Sequence, residues 1–158
     1  MIKMTQDEVN EAVRLHDLWT KNDKTGQRAD FTNKDLSGLN FKGANLSRVN
    51  LSYAKFRGAN LSGANLNYID LSWSDLSDTD LSSADLSSAD LSYTNLSWSN
   101  LMDADLCCAD LSCADLSNAD FRGANLNGAN YKGSKWYNAT YNSKTVFPDF
   151  RNNMIYKD

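Results

Sequence analysis

The chain has 158 residues, is 41% hydrophobic and carries a net charge of -4. That length suits one domain, and the balance argues against a disordered acidic tail and a basic nucleic-acid binder alike. No apolar run approaches the length of a membrane span, one proline leaves little room for a Pro-rich linker, and three crowded cysteines make a poor disulfide framework.

The N-terminus, Met1-Ile-Lys-Met-Thr-Gln-Asp-Glu, turns acidic and amphipathic and lacks the apolar core of a signal peptide. The expected compartment is the cytoplasm. Residues 5–21 carry a helical pattern. Thr5 and Glu8 have capping-box spacing, and Val9, Ala12, Val13 and His16 recur at helical intervals. The stretch from Asn22 to Gly26 ends the helix.

From Phe31 the chain adopts a period of five. Every fifth residue from Phe31 to Leu126 is Leu or Phe, twenty in all, and Tyr131, Trp136 and Tyr141 extend the series. Neither an α-helix nor a flat strand has that period, so the chain must turn every five residues. Two residues before each centre stands a small residue, usually Ala. One before it stands Asp or Asn from Asp30 to Asn130, with Lys55 the only break. One after it is most often Ser. Seven of the eight glycines fall two after the centre, where a tight turn calls for positive φ. Between residues 68 and 118 that slot never holds Gly. Bulky residues resist φ > 0, so those turns are expected to differ from the glycine turns.

Units such as Ala-Asn-Leu-Ser-Gly at 59–63 and Ala-Asp-Leu-Ser-Ser at 84–88 closely resemble the pentapeptide-repeat family. The resemblance implies an all-β solenoid, a right-handed quadrilateral β-helix with four pentapeptides per coil and about 5–6 coils. Centre and small residues would point inward and the other three outward. Both ends of such a rod need covering. The expected organisation is a single domain: an N-terminal helical cap over 1–28, the repeat over 29–143 and an irregular C-terminal cap over 144–158. Val146, Phe147, Phe150, Ile155 and Tyr156 supply large side chains for the last segment.

Twenty residues per coil would stack positions that differ by twenty. Tyr53, Trp73 and Tyr93 then lie above one another, with Tyr68 at the corner leading into their face and Trp98 on the next. These five aromatics form a candidate partner-binding surface, since contiguous exposed apolar patches usually mark contacts. They offer a route to a homodimer, as does the C-terminal cap.

Charge is equally uneven. No Lys or Arg occurs from Gly58 to Phe121, a stretch holding Asp70, Asp75, Asp78, Asp80, Asp85, Asp90, Asp103, Asp105, Asp110, Asp115 and Asp120. This acidic belt would carry one charge per roughly 1.4 Å of axis at the strand spacing, near the ~1.7 Å of duplex DNA. Some members of the family bind DNA gyrase by imitating the duplex and protect it from inhibitors. The resemblance therefore implies duplex mimicry as an alternative function. Against it, Asp before Leu belongs to the repeat itself, where its carboxylate can serve turn amides.

Catalytic chemistry finds no constellation. His16 is the sole histidine and belongs to the helix, and the many serines fill a repeat slot without a base. Cys107, Cys108 and Cys113 lack zinc spacing, and no phosphate loop is present. No cofactor, metal, direct nucleic-acid contact or membrane is expected. The sequence reads as a non-enzymatic, rigid β-helical rod that serves an unidentified protein partner as binding surface or scaffold. Duplex mimicry towards a topoisomerase, and a purely structural repeat without a dedicated partner, are the alternatives.

Overall fold

A computed structural model describes residues 1–148. Its repeat region is a four-sided solenoid built from isolated parallel bridges. Asp30 pairs with Asn50, Asn50 with Asp70, Asp70 with Asp90 and Asp90 with Asp110, always twenty residues apart. The same spacing recurs along the other three series, so four five-residue units close each coil. The centres fill the interior, with Leu36, Leu71, Leu96 and Leu126 all fully buried. Small residues pack between them. Where Ser74, Thr79, Thr94 and Ser99 replace Ala, the buried hydroxyl donates to a backbone carbonyl.

One unit shows why the repeat has five residues of these types. The Ile69 amide closes the turn by donating to the Leu66 carbonyl at 3.3 Å. Asp70 donates to Val49 in the coil before it at 3.2 Å, while Leu71 donates to Asp90 and Trp73 to Ser92 in the coil after it, at 2.8 and 3.1 Å. The remaining amide, that of Ser72, donates to Asp70 Oδ1 at 3.0 Å. Every N–H of the unit is satisfied, as a backbone with no room for water requires. Asp and Asn share the slot before the centre because both offer that side-chain acceptor.

The turns overturn one sequence expectation. Non-glycine corners from Tyr68 to Asn118 have φ between 53° and 62°, while glycine corners from Gly38 to Gly133 have φ between 64° and 77°. All are left-handed, and only the second central residue is, the pattern of a type II turn. The ladder imposes this. The corner amide donates to the next coil whether it belongs to Gly63 (to Ser82, 2.8 Å) or to Trp73. Tyr, Trp, Asp, Ser, Cys and Asn therefore accept a conformation that costs an L-residue about 1–2 kcal/mol.

At the N-terminal end, β1 (Ile2–Lys3) runs parallel to β2 (Lys34–Asp35), and α1 spans Gln6–Thr20 with Thr5 and Glu8 forming a capping box. The helix lays Val9 and His16 on the first coil, both buried, with Met4, Ala12 and Val13 beside them. Its side chains also close the open ladder. Gln6 accepts from the Asn40 amide and donates to the Asn40 carbonyl. His16 Nδ1 accepts from the Ala29 amide at 3.3 Å, and His16 Nε2 lies 3.0 Å from the Ser47 carbonyl.

The period slips at the other end. Asp120 pairs with Thr140 in register, but Asn125 pairs with Val146, one residue late. The turn closes from Thr145 to the Asn142 carbonyl instead of one residue earlier. Tyr141, counted by period as the last inward centre, is consequently 54% exposed. Trp136 packs on Phe121 at 4.9 Å and Phe147 on Tyr141 at 5.3 Å. Phe150, Ile155 and Tyr156, assigned to the C-terminal cap, lie outside the described residues.

Candidate functional site

Each corner residue is set by the left-handed turn, so its side chain stands away from the core. On one corner this produces a stack. The rings of Tyr53 and Trp73 are 6.3 Å apart and 11° from parallel, and those of Trp73 and Tyr93 are 4.2 Å apart and 4° from parallel. Cys113 continues the column, and its thiol, hydrogen-bonded to Tyr93, pushes the Tyr93 hydroxyl above its ordinary pKa. The three rings remain 54%, 53% and 49% exposed. Their faces are turned to each other along the rod, so they offer edges, hydroxyls and the indole N–H outward.

The other two sequence candidates stand apart from this stack. Tyr68 occupies the preceding corner, where the Arg48 guanidinium lies 5.7 Å from its ring centre. Trp98 occupies the following corner, in the column of Asp78, and is 64% exposed. The structure thus groups Tyr53, Trp73 and Tyr93 and leaves Tyr68 and Trp98 as flanking side chains.

Between the stacked corner and the Trp98 corner runs a flat segment with one outward residue per coil. That column reads Asp35, Lys55, Asp75, Asn95, Asp115, Lys135, each bridged to the next. Lys135 reaches Asp115 at 3.6 Å, and the Asn95 amide donates to Asp75 Oδ1 at 3.3 Å. The Asp115 carboxyl is held below its usual range by the Ser117 hydroxyl first, with its amide and Lys135 adding to this. Sequence reasoning passed over this ladder. The signal was there, since Lys55 and Lys135 break the Asp/Asn slot in one and the same column.

Nine of the eleven belt aspartates, all but Asp78 and Asp103, accept the amide two residues on. Asp75, Asp80, Asp105 and Asp110 also accept from an Asn stacked on them. Asp78 pairs with Arg57 at 3.2 Å and Asp120 with Arg122 at 2.6 Å. These carboxylates are therefore turn elements first. The Cys107 and Cys108 sulfurs lie 3.5 Å apart, which raises the Cys107 pKa. Among the described residues no group of three His, Cys, Asp or Glu is placed to hold a metal ion, and no helix is long and apolar enough to cross a membrane.

The model of the family described as pentapeptide repeats matches residues 27–63, 64–101 and 99–134, with eight copies. The chain belongs to the pentapeptide-repeat family. Members fold as right-handed quadrilateral β-helices and are generally structural or binding proteins rather than enzymes. Among solved structures it is similar to HetL, a pentapeptide repeat protein involved in heterocyst differentiation regulation from Nostoc sp. strain PCC 7120. Identity is 32% and the TM-score 0.60, over 77% of this chain and 65% of that one. The chain thus spans just under two thirds of HetL. QnrB1, a plasmid-mediated fluoroquinolone resistance protein, matches at 16% identity and a TM-score of 0.42, over 75% of this chain and 67% of that one. Rfr23 from Cyanothece 51142 matches at 25% and 0.33, over 88% and 99%. No match was found among curated proteins.

Proposed function

We propose that this pentapeptide-repeat protein is a non-enzymatic, rigid cytoplasmic rod of five to six coils, covered at both ends, whose stacked aromatic corner docks a protein partner. The observation that carries this reading is the Tyr53–Trp73–Tyr93 stack. Three large side chains are held parallel, half exposed and already ordered by the left-handed turns beneath them. Ordering aromatic side chains before contact lowers the entropic cost of binding, and Tyr and Trp are the residues that dominate protein interfaces. The belt supports duplex mimicry less well, because its carboxylates are engaged by the turns of their own repeat.

The test is site-specific photo-cross-linking. A benzophenone side chain replaces Ser92, beside Tyr93, or Ser82, half a turn earlier along the coil. Protein adducts in whole cells are expected from position 92 and not from position 82. Equal yields from the two positions would remove the aromatic corner as the docking surface.

A further inference from the structure

The charge ladder beside the aromatic corner names an occupant for that surface. An isologous pair has a two-fold axis, and there are two ways to set it in the contact plane. An axis along the rods makes the rods parallel and puts every column level with its own copy. Lys55 would then face Lys55, and Asp75, Asp115 and Lys135 would each face themselves. An axis across the rods makes them antiparallel and returns the column with its order reversed.

The order of charges, with the length of the shared column, sets the register. With the axis through Asn95, Lys55 meets Lys135 and Asp75 meets Asp115. With the axis through Asp75, Asp75 meets itself and Asp35 meets Asp115. With the axis between Asp75 and Asn95, no like charges meet. Asp35 then faces the partner's Lys135, Lys55 faces the partner's Asp115, and Asp75 faces the partner's Asn95, each contact occurring twice. Moving the axis up by one coil keeps opposite charges only at Asp75 and Lys135, and takes Asp35 and Lys55 out of contact. Moving it down by one coil sets Lys55 against the partner's Asp75, and Lys3, bridged to Asp35, against the partner's Asp115, but takes Lys135 out of contact. Only the axis between Asp75 and Asn95 engages all six rungs from Asp35 to Lys135. The favoured register also sets Trp73 against the partner's Tyr93 and Tyr53 against the partner's Cys113, because the corner column precedes the ladder by two residues throughout.

We propose that this protein forms an antiparallel homodimer through this face, with the Lys55–Asp115 and Asp35–Lys135 pairs setting its register. The inference rests on the aromatic corner being the docking surface. Lys55 and Lys135 then have a reason to interrupt a slot that otherwise holds an amide acceptor. At Lys55 the repeat forgoes the side-chain bond that Asp70 gives Ser72.

Complementary charge variants test it. Lys55→Asp and Asp115→Lys each place like charges at two symmetry-related contacts, so each alone should dissociate at least about tenfold more readily than the parent. Mixed one to one, they restore opposite charges at both contacts, and sedimentation should show a dimer of mixed composition. Circular dichroism checks that each variant keeps the fold. In a Cys107→Ser, Cys108→Ser background, Tyr53→Cys should form a disulfide with the partner's Cys113 on mild oxidation. Single variants that dimerise like the parent, or a mixture that stays monomeric, would overturn the proposed register. If Trp73→Ser separates the dimer while the charge variants do not, the aromatic reading stands and the ladder falls. A monomeric parent whose position 92 still cross-links to other proteins refutes the second copy alone. No adduct and no dimer would remove both readings.

Discussion

Acidification between pH 7 and pH 5 should weaken the seating of α1 on the first coil, and His16 is the reason. It is the only histidine in the chain, so no other side chain has an ordinary pKa in that window. The ring is fully buried and stacks on Trp19 at 5.4 Å. Its Nε2 faces the Ser47 carbonyl, which can only accept, and its Nδ1 accepts from the Ala29 amide, which can only donate. The neutral ring protonated on Nε2 satisfies both. A second proton on Nδ1 would meet the Ala29 N–H head on. Burial lowers the His16 pKa first of all. The Ser47 carbonyl opposes that shift, Arg28 adds to it and Asp17 opposes it. A base whose folded pKa lies below its unfolded value binds fewer protons when folded. Its stabilisation is present above the unfolded pKa and is lost as pH falls towards the folded one. With an unfolded value near 6.5, the loss from pH 7 to pH 5 is at most about 1.9 kcal/mol, the bound reached if folded His16 stays neutral throughout. Urea unfolding at a series of pH values reads it, and His16→Gln should flatten the slope because glutamine does not titrate. A parent profile that is flat over this window, or a variant with the parent's slope, would refute the account.

Corner strain predicts that Gly63→Ala costs about 1 kcal/mol, since an added Cβ there meets nothing within 4 Å and only the φ of 64° opposes it. Ser83→Gly, at φ 55°, should gain up to about 1 kcal/mol, and thermal unfolding of the two variants compares the signs. Asp85→Ala removes the acceptor of both the Ser87 amide and its hydroxyl and should cost about 1–2 kcal/mol, whereas Asp85→Asn keeps an acceptor and should cost much less. In a supercoiling assay with purified gyrase, the chain should leave quinolone inhibition unchanged. Protection by the parent, lost when Asp75, Asp78 and Asp80 become Asn, would instead favour duplex mimicry.

The sequence carried the repeat and the helix start through spacing alone, and the twenty-residue stacking through spacing together with the family resemblance. A strict period of five makes the chain turn every five residues, the family resemblance supplies four units per coil, and Thr5 with Glu8 fixes where α1 begins. It also placed Tyr53, Trp73 and Tyr93 in one column, since residues twenty apart have nowhere else to go. What it could not supply was the conformation of the corners. Local preference argues against φ > 0 at Tyr68 or Trp98, and the inter-coil hydrogen bond from the same amide overrides that preference. The slip after Thr140 was equally hidden, because Tyr141 fits the period and only the Asn142–Thr145 turn moves it out of the core. His16 reads as an ordinary helix residue until the first coil brings Ser47 and Ala29 to its two nitrogens. The Lys55–Asp115–Lys135 ladder needs the same step, since charges spread over eighty residues become one surface only when the coils stack them.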